Sequence, residues 1–311
     1  MKKILRNNQI LFNGIVCGLL LLMAFFAGCT SSTPSQPATP VVSTTKAPAS
    51  IDTPRQPVTL SGSTTPVPVY TPSESTIVAF TAASLKGVSS KLASDFEKTH
   101  PGKHVVFNLD GTQALRTQIQ NGAYADVFIS ASNTYTNELK NGGYFANETV
   151  EPLTTNYIVM ILPAGNPGNI RSLADLAKPG MKIAMGDRSV PVGTASFAVI
   201  ANLTKSTYNQ DWNTSVFRNV VTYETSEPGV ATKVALGEVD AGFVYESTFA
   251  AASNGTYGAI TIPKVDNYLQ TYTVGVLKES TNKGTASDFK SFLLSAAGQQ
   301  DLRDFGFRPI S

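Results

Sequence analysis

Apolar residues are distributed along this chain in three regimes. From residue 10 to 27 they are nearly continuous, broken only by Asn13, Gly14 and Gly18. From 30 to 73 no apolar period survives. From 76 onward, short apolar runs alternate with stretches spaced three and four apart, the pattern of strands alternating with helices. Thr76-Ile77-Val78-Ala79-Phe80 predicts a buried strand. Leu85, Val88, Leu92 and Phe96 predict a helix, with Ser84 as its N-cap. Val105, Phe107 and Leu109 alternate as a strand, and a helix from about Thr112 stops at Asn121-Gly122. Asp126-Val127-Phe128-Ile129-Ser130 reads as a strand, followed by a polar helix ending at Gly142-Gly143. Further strands are expected near 157–162, 182–185, 220–223, 241–245 and 273–277, and helical segments near 173–177, 195–203, 230–236 and 286–294. The alternation predicts an α/β fold with mainly parallel sheets.

Composition narrows the function. The chain has 311 residues, 42% hydrophobic and 15% charged, enough for two lobes or one large domain. A net charge of +2 excludes a nucleic-acid binder held by a strong basic field. Two cysteines and two histidines exclude a disulfide scaffold and a Cys/His zinc cluster.

The first regime is an address. Lys2, Lys3 and Arg6 precede the apolar run, as in an export signal, and the run ends in Phe26-Ala27-Gly28-Cys29. That ending resembles a lipobox, in which Cys29 is lipidated, with Phe26 where leucine is usual. An uncleaved membrane-spanning anchor is the other reading. Both leave residues 30–311 outside the cytoplasm and tethered to a membrane. Residues 30–73 hold 9 of the chain's 18 prolines and 18 serines or threonines, and read as an extended spacer. Beyond it, residues 74–311 hold 19 basic and 21 acidic residues, a net of −2. An anion site there has to be local.

In parallel sheets, ligands sit beyond the carboxyl ends of strands, against helix N-termini. Those turns here read Thr81-Ala82-Ala83-Ser84, Asp110-Gly111-Thr112-Gln113, Val190-Pro191-Val192-Gly193-Thr194 and Ser226-Glu227-Pro228-Gly229. Small, hydroxyl-bearing, Gly and Pro residues let amides point into a cleft and favour an anion. Ordinary helix capping uses the same residues, so the turns alone leave both readings open.

Longer phrases are more specific. Ala79-Phe80-Thr81-Ala82-Ala83-Ser84-Leu85, Gly111-Thr112-Gln113-Ala114-Leu115-Arg116, Ala125-Asp126-Val127-Phe128-Ile129-Ser130-Ala131, Val190-Pro191-Val192-Gly193-Thr194 and Lys233-Val234-Ala235-Leu236-Gly237-Glu238-Val239-Asp240-Ala241-Gly242-Phe243-Val244-Tyr245 occur in that order. Together they resemble the molybdate-binding proteins of ABC importers across 76–307. The resemblance implies the fold of type II periplasmic binding proteins: two α/β lobes clamping a ligand between them. Lobe 1 is then 74–156 with 270–311, lobe 2 is 157–269, and the crossovers lie near 155–160 and 266–272.

The resemblance also implies molybdate or tungstate as ligand, no cofactor, no enzymatic activity, a monomer, and an ABC permease with its ATPase as partner. It places oxyanion contacts on the hydroxyls of Ser84, Thr112 and Tyr245 and on the backbone amides of Val192 and Glu227. Neutral N–H and O–H dipoles suffice for a dianion in a closed cleft and favour the fully deprotonated form. The Glu227 side chain is expected to face solvent or a cation such as Lys233. An archaeal branch of such binders ligates the metal through carboxylates, a part Asp110 and Glu227 could take; the surrounding phrases fit the bacterial pattern better.

Other readings carry less. Ser84 with His100 or His104 lacks a Gly-x-Ser-x-Gly turn, so a hydrolase is not expected. Trp212 reads as a helix anchor. Asn147, Asn202, Asn213 and Asn254 open glycosylation sequons. A binder of another oxyanion such as sulfate, or a non-transport surface or adhesion lipoprotein on the same fold, remains the alternative.

Overall fold

The computed structural model describes residues 75–310, apart from 147 and 148. The leader, Cys29, the spacer and the Asn147 sequon lie outside the described residues. No helix among those described is long and apolar enough to cross a membrane.

Two five-stranded sheets organise the chain. The first has the order β2-β1-β3-β10-β4, from β1 (Thr76–Ala82), β2 (His104–Asp110), β3 (Val127–Ser130), β4 (Glu151–Asn156) and β10 (Gln270–Val276). The second has the order β7-β6-β8-β5-β9, from β5 (Ile158–Pro163), β6 (Ile183–Gly186), β7 (Val220–Glu224), β8 (Ala241–Tyr245) and β9 (Tyr257–Thr261). In each sheet the first three strands are parallel, and the fourth runs against both its neighbours. Four of five strands therefore share a direction. The chain passes from the first sheet to the second between Asn156 and Ile158, and returns between Thr261 and Gln270.

Burial on both faces explains the continuous apolar runs. Along β1, Ile77 and Ala79 pack with α1 (Lys86–Thr99), α8 (Lys283–Leu294) and α9 (Ala296–Asp304). Val78 and Phe80 point the other way, to α2 (Thr112–Gln120) and α3 (Asn133–Asn141). Along β5, Ile158, Met160 and Leu162 face α4 (Pro191–Ser206) and α5 (Gln210–Arg218), while Val159 and Ile161 face α6 (Glu227–Ala235). Edge strands differ: β2 leaves Val106 exposed and β7 leaves Val221 and Tyr223 exposed. Asp126 is fully buried beside β3, where its carboxylate accepts from the Val78 N–H at 2.8 Å and the Ser280 hydroxyl at 2.7 Å.

The helical segment expected near 173–177 is present as a 3-10 helix, Leu173–Ala177, closed by a capping box between Ser172 and Asp175. Strands β4 and β9, and helices α5, α7 (Glu246–Ala251) and α9, are not among the expected elements, although α5 has a clearly amphipathic pattern that buries Trp212 and Val216. Trp212 anchors α5: it is buried, stacks on Tyr208 at 4.3 Å and donates from Nε1 to the Leu173 carbonyl at 3.2 Å.

Candidate functional site

Turns at the ends of several strands converge on one small, partly open cavity between the two sheets. Ser84 lies in the 3-10 turn Ala83–Leu85 that joins β1 to α1, and Thr112 opens α2 after β2. Val192 is in the first turn of α4 after β6, Glu227 opens α6 after β7, and Tyr245 ends β8. Each sits at a strand's carboxyl end, and three sit at helix N-termini, whose first amides have no partner within the helix.

Proline sharpens which amides those are. Pro191 has no N–H, so Val192 is the first donor of α4. In α6 Glu227 is itself the first donor, and Pro228 removes the second. Gly193 lets α4 start this close to β6. A Cβ there would lie 1.9 Å from the Asp187 carbonyl oxygen and 2.5 Å from that of Gly186.

The hydroxyls are held by the scaffold. Thr112 Oγ1 accepts from the Ala131 N–H at 3.2 Å, which leaves its own proton to donate elsewhere. Ser84 Oγ is 2.9 Å from the Tyr272 hydroxyl. Tyr245 donates to Gln270 Oε1 at 3.4 Å and meets the Tyr272 ring edge-on at 6.0 Å. Burial raises the pKa of both tyrosines far above the ordinary phenol value, so both keep their protons.

Glu227 is the one carboxylate in the cavity wall, and no Lys, Arg or His lines it. Its side chain is buried, with Oε1 accepting from the Tyr245 N–H at 3.2 Å. Oε2 is buried and lacks a well-formed hydrogen bond, with the Thr248 hydroxyl close to the carboxylate. Burial pushes its pKa up to about 7, opposed by the Thr248 hydroxyl and the Tyr245 amide. Across the cavity rim, Gln113 Nε2 donates to the Thr225 carbonyl at 2.7 Å, and Tyr135 donates to the Ser189 carbonyl at 2.6 Å. These two bonds tie the elements of the first sheet to those of the second.

The sequence profile of the bacterial extracellular solute-binding proteins matches residues 77–308. The chain belongs to that family. Among its relatives, this solute-binding protein is 32% identical over 238 residues to the molybdate-binding protein ModA of Mycobacterium tuberculosis H37Rv, covering 76% of this chain and 86% of that one. It superposes on the substrate-binding domain of a putative molybdenum ABC transporter from Clostridium difficile with a TM-score of 0.58 and 27% identity, covering 76% of this chain and 99% of that one. The periplasmic molybdate-binding protein of Azotobacter vinelandii matches with a TM-score of 0.66 and 22% identity, covering 76% and 100%. The latter likeness is one of fold, the two-lobed type II periplasmic-binding-protein architecture.

Within this solute-binding protein, Ser84, Thr112, Val192, Glu227 and Tyr245 line the same cavity. Three details depart from the sequence reading. Ser84 makes no cap bond to α1; its hydroxyl is engaged by Tyr272 instead. The Glu227 side chain turns inward, and Lys233 pairs with Glu238. Asp110 does not join Glu227: it stands outside the cavity wall, accepting from the Gly111 N–H at 2.7 Å. Tyr272 and Gln270, which hold the Ser84 and Tyr245 hydroxyls, went unseen because each partner is distant in sequence. Neither histidine lines the cavity; His100 stacks on Phe96 and His104 lies 3.4 Å from Glu97. The side-chain amides of Asn202 and Asn213 are engaged by the Asp266 carbonyl and the Thr204 hydroxyl, whereas Asn254 is exposed.

Proposed function

We propose that this solute-binding protein captures molybdate or tungstate outside the cytoplasm and delivers it to the permease and ATPase of an ABC importer. The observation that supports this reading is the small cavity between the sheets, lined by Ser84, Thr112, Val192, Glu227 and Tyr245 and by no basic side chain, so that its hydroxyls and helix-terminal amides are the groups available to an anion. Such a set neutralises a dianion by directed dipoles. It suits neither an amino-acid zwitterion, which calls for opposite charges, nor a sugar, which calls for stacking aromatics. The names of the relatives support the choice of oxyanion. In this reading Ser84, Thr112 and Tyr245 donate through side chains and Val192 and Glu227 through backbone amides. Lobe 1 comprises 74–156 and 270–311, and lobe 2 comprises 157–269. The N-terminal segment holds the protein at the membrane, through a lipidated Cys29 or an uncleaved helix.

Calorimetric titration of the ligand-stripped protein with molybdate, tungstate, sulfate and phosphate tests this. Tight binding of the first two alone is the expected result. Preference for sulfate would reassign the ligand, and binding of none would hand the fold to a surface or adhesion role.

A further inference from the structure

Glu227 poses a problem that the donor set does not solve. A doubly charged oxyanion held at the Glu227 amide would lie close to that residue's own buried carboxyl group, whose Oε2 accepts no hydrogen bond. Two like charges this close, both out of water, repel strongly.

The surroundings supply no countercharge. From β8, Tyr245 offers its amide and a protonated phenol, and from α7, Thr248 offers a hydroxyl. Ser84 faces the same space from the 3-10 turn, with Tyr272 behind it. Tyr257, at the start of β9, donates to the Ala231 carbonyl of α6. The nearby acids are occupied: Glu246 pairs with Arg308, and Glu224 accepts from Thr222. Lys233 is taken by Glu238. Lys86 lines a second cavity, of about 490 Å³, that shares Ser84 and Glu227 with the clamp, but it is exposed. Among the described residues, no cation pairs with Glu227.

We propose that Glu227 carries a proton whenever the clamp holds a doubly charged oxyanion, so that capture takes up one proton from solvent above neutral pH. This rests on the oxyanion reading above. The step balances simply: carboxylate, proton and dianion become a neutral carboxyl beside a bound dianion. The proton converts Oε2 from an unsatisfied acceptor into a donor, the same kind of group as the rest of the wall. Glu227 is thus a binding residue through its side chain as well as its amide, and its protonation ties affinity to pH.

The test is calorimetric titration of the purified full-length chain with sodium molybdate in buffers of different ionisation heat. At about pH 8 the dependence on buffer heat should report uptake of about one proton, and at about pH 5.5 close to none. Affinity should fall about tenfold per pH unit above neutrality. Glu227→Gln keeps a neutral donor, so it should bind with no uptake and a level pH profile. The wild-type buffer dependence stands even where that variant folds poorly. Tight wild-type binding without uptake at about pH 8 overturns the inference and leaves the transport reading intact. Uptake that persists undiminished in a folded Glu227→Gln protein also overturns it. Binding of no dianion at any pH overturns both.

Discussion

An ionised Glu227 in the ligand-free protein is a buried charge with one oxygen unmatched, and stability registers that. The unfolded chain releases this proton near the ordinary value of 4.5, the folded protein only at about 7. Between those values the native state binds more protons, so this contribution is full below about 4.5 and falls as pH rises. Above 7 the native state is less stable by roughly 3 kcal/mol on this account. Urea unfolding of ligand-free protein at acid and alkaline pH should show the loss, and Glu227→Gln should remove it. The hydroxyls act on binding instead. Ser84→Ala or Tyr245→Phe should weaken oxyanion binding by about 1.5–3 kcal/mol, the cost of a lost bond to a charged group, read by the same calorimetry. Ser84 and Tyr245 were visible in the sequence because they stand in turns of recognisable wording. Tyr272 was not, since a tyrosine in a buried strand reads as core, and its bond to Ser84 spans 188 residues.

Continuous apolar runs made the central strands legible, and alternation made the edge strands β2 and β7 legible. Strands β1, β3, β5 and β8 carry unbroken apolar runs because helices cover both faces of their sheets. Strand β4, with the sequence EPLTTN, and β9, with YGAIT, lie at sheet margins and take their identity from partners remote in the chain. No local pattern encodes such pairing. The turn between β6 and α4 was legible as a phrase but not as a constraint. Gly193 is there because two carbonyl oxygens fill the space a side chain would take. Gly193→Ala should therefore lower stability by about 1–3 kcal/mol, measured by thermal unfolding, and should weaken binding by displacing the Val192 amide.

For the molecule as a whole, closure depends on few bonds. Gln113 to Thr225 and Tyr135 to Ser189 join the lobes at the rim, and Arg308 to Glu246 joins them beside α7. Removing the first with Gln113→Ala should leave the five cavity contacts in place while speeding ligand release roughly 2- to 10-fold, the kinetic equivalent of one modest hydrogen bond, measured by stopped-flow displacement. The path of the backbone has its own consequence. The chain leaves the first sheet at Asn156 and re-enters it at Gln270, and these two residues face each other as a register pair of antiparallel neighbours β4 and β10. The whole second lobe is in effect one long excursion from the tip of a hairpin. Heredity can treat such an excursion as a cassette: recombination at that pair would exchange Val192, Glu227 and Tyr245, three of the five residues named at the cavity, while the five strands of the first sheet keep their register.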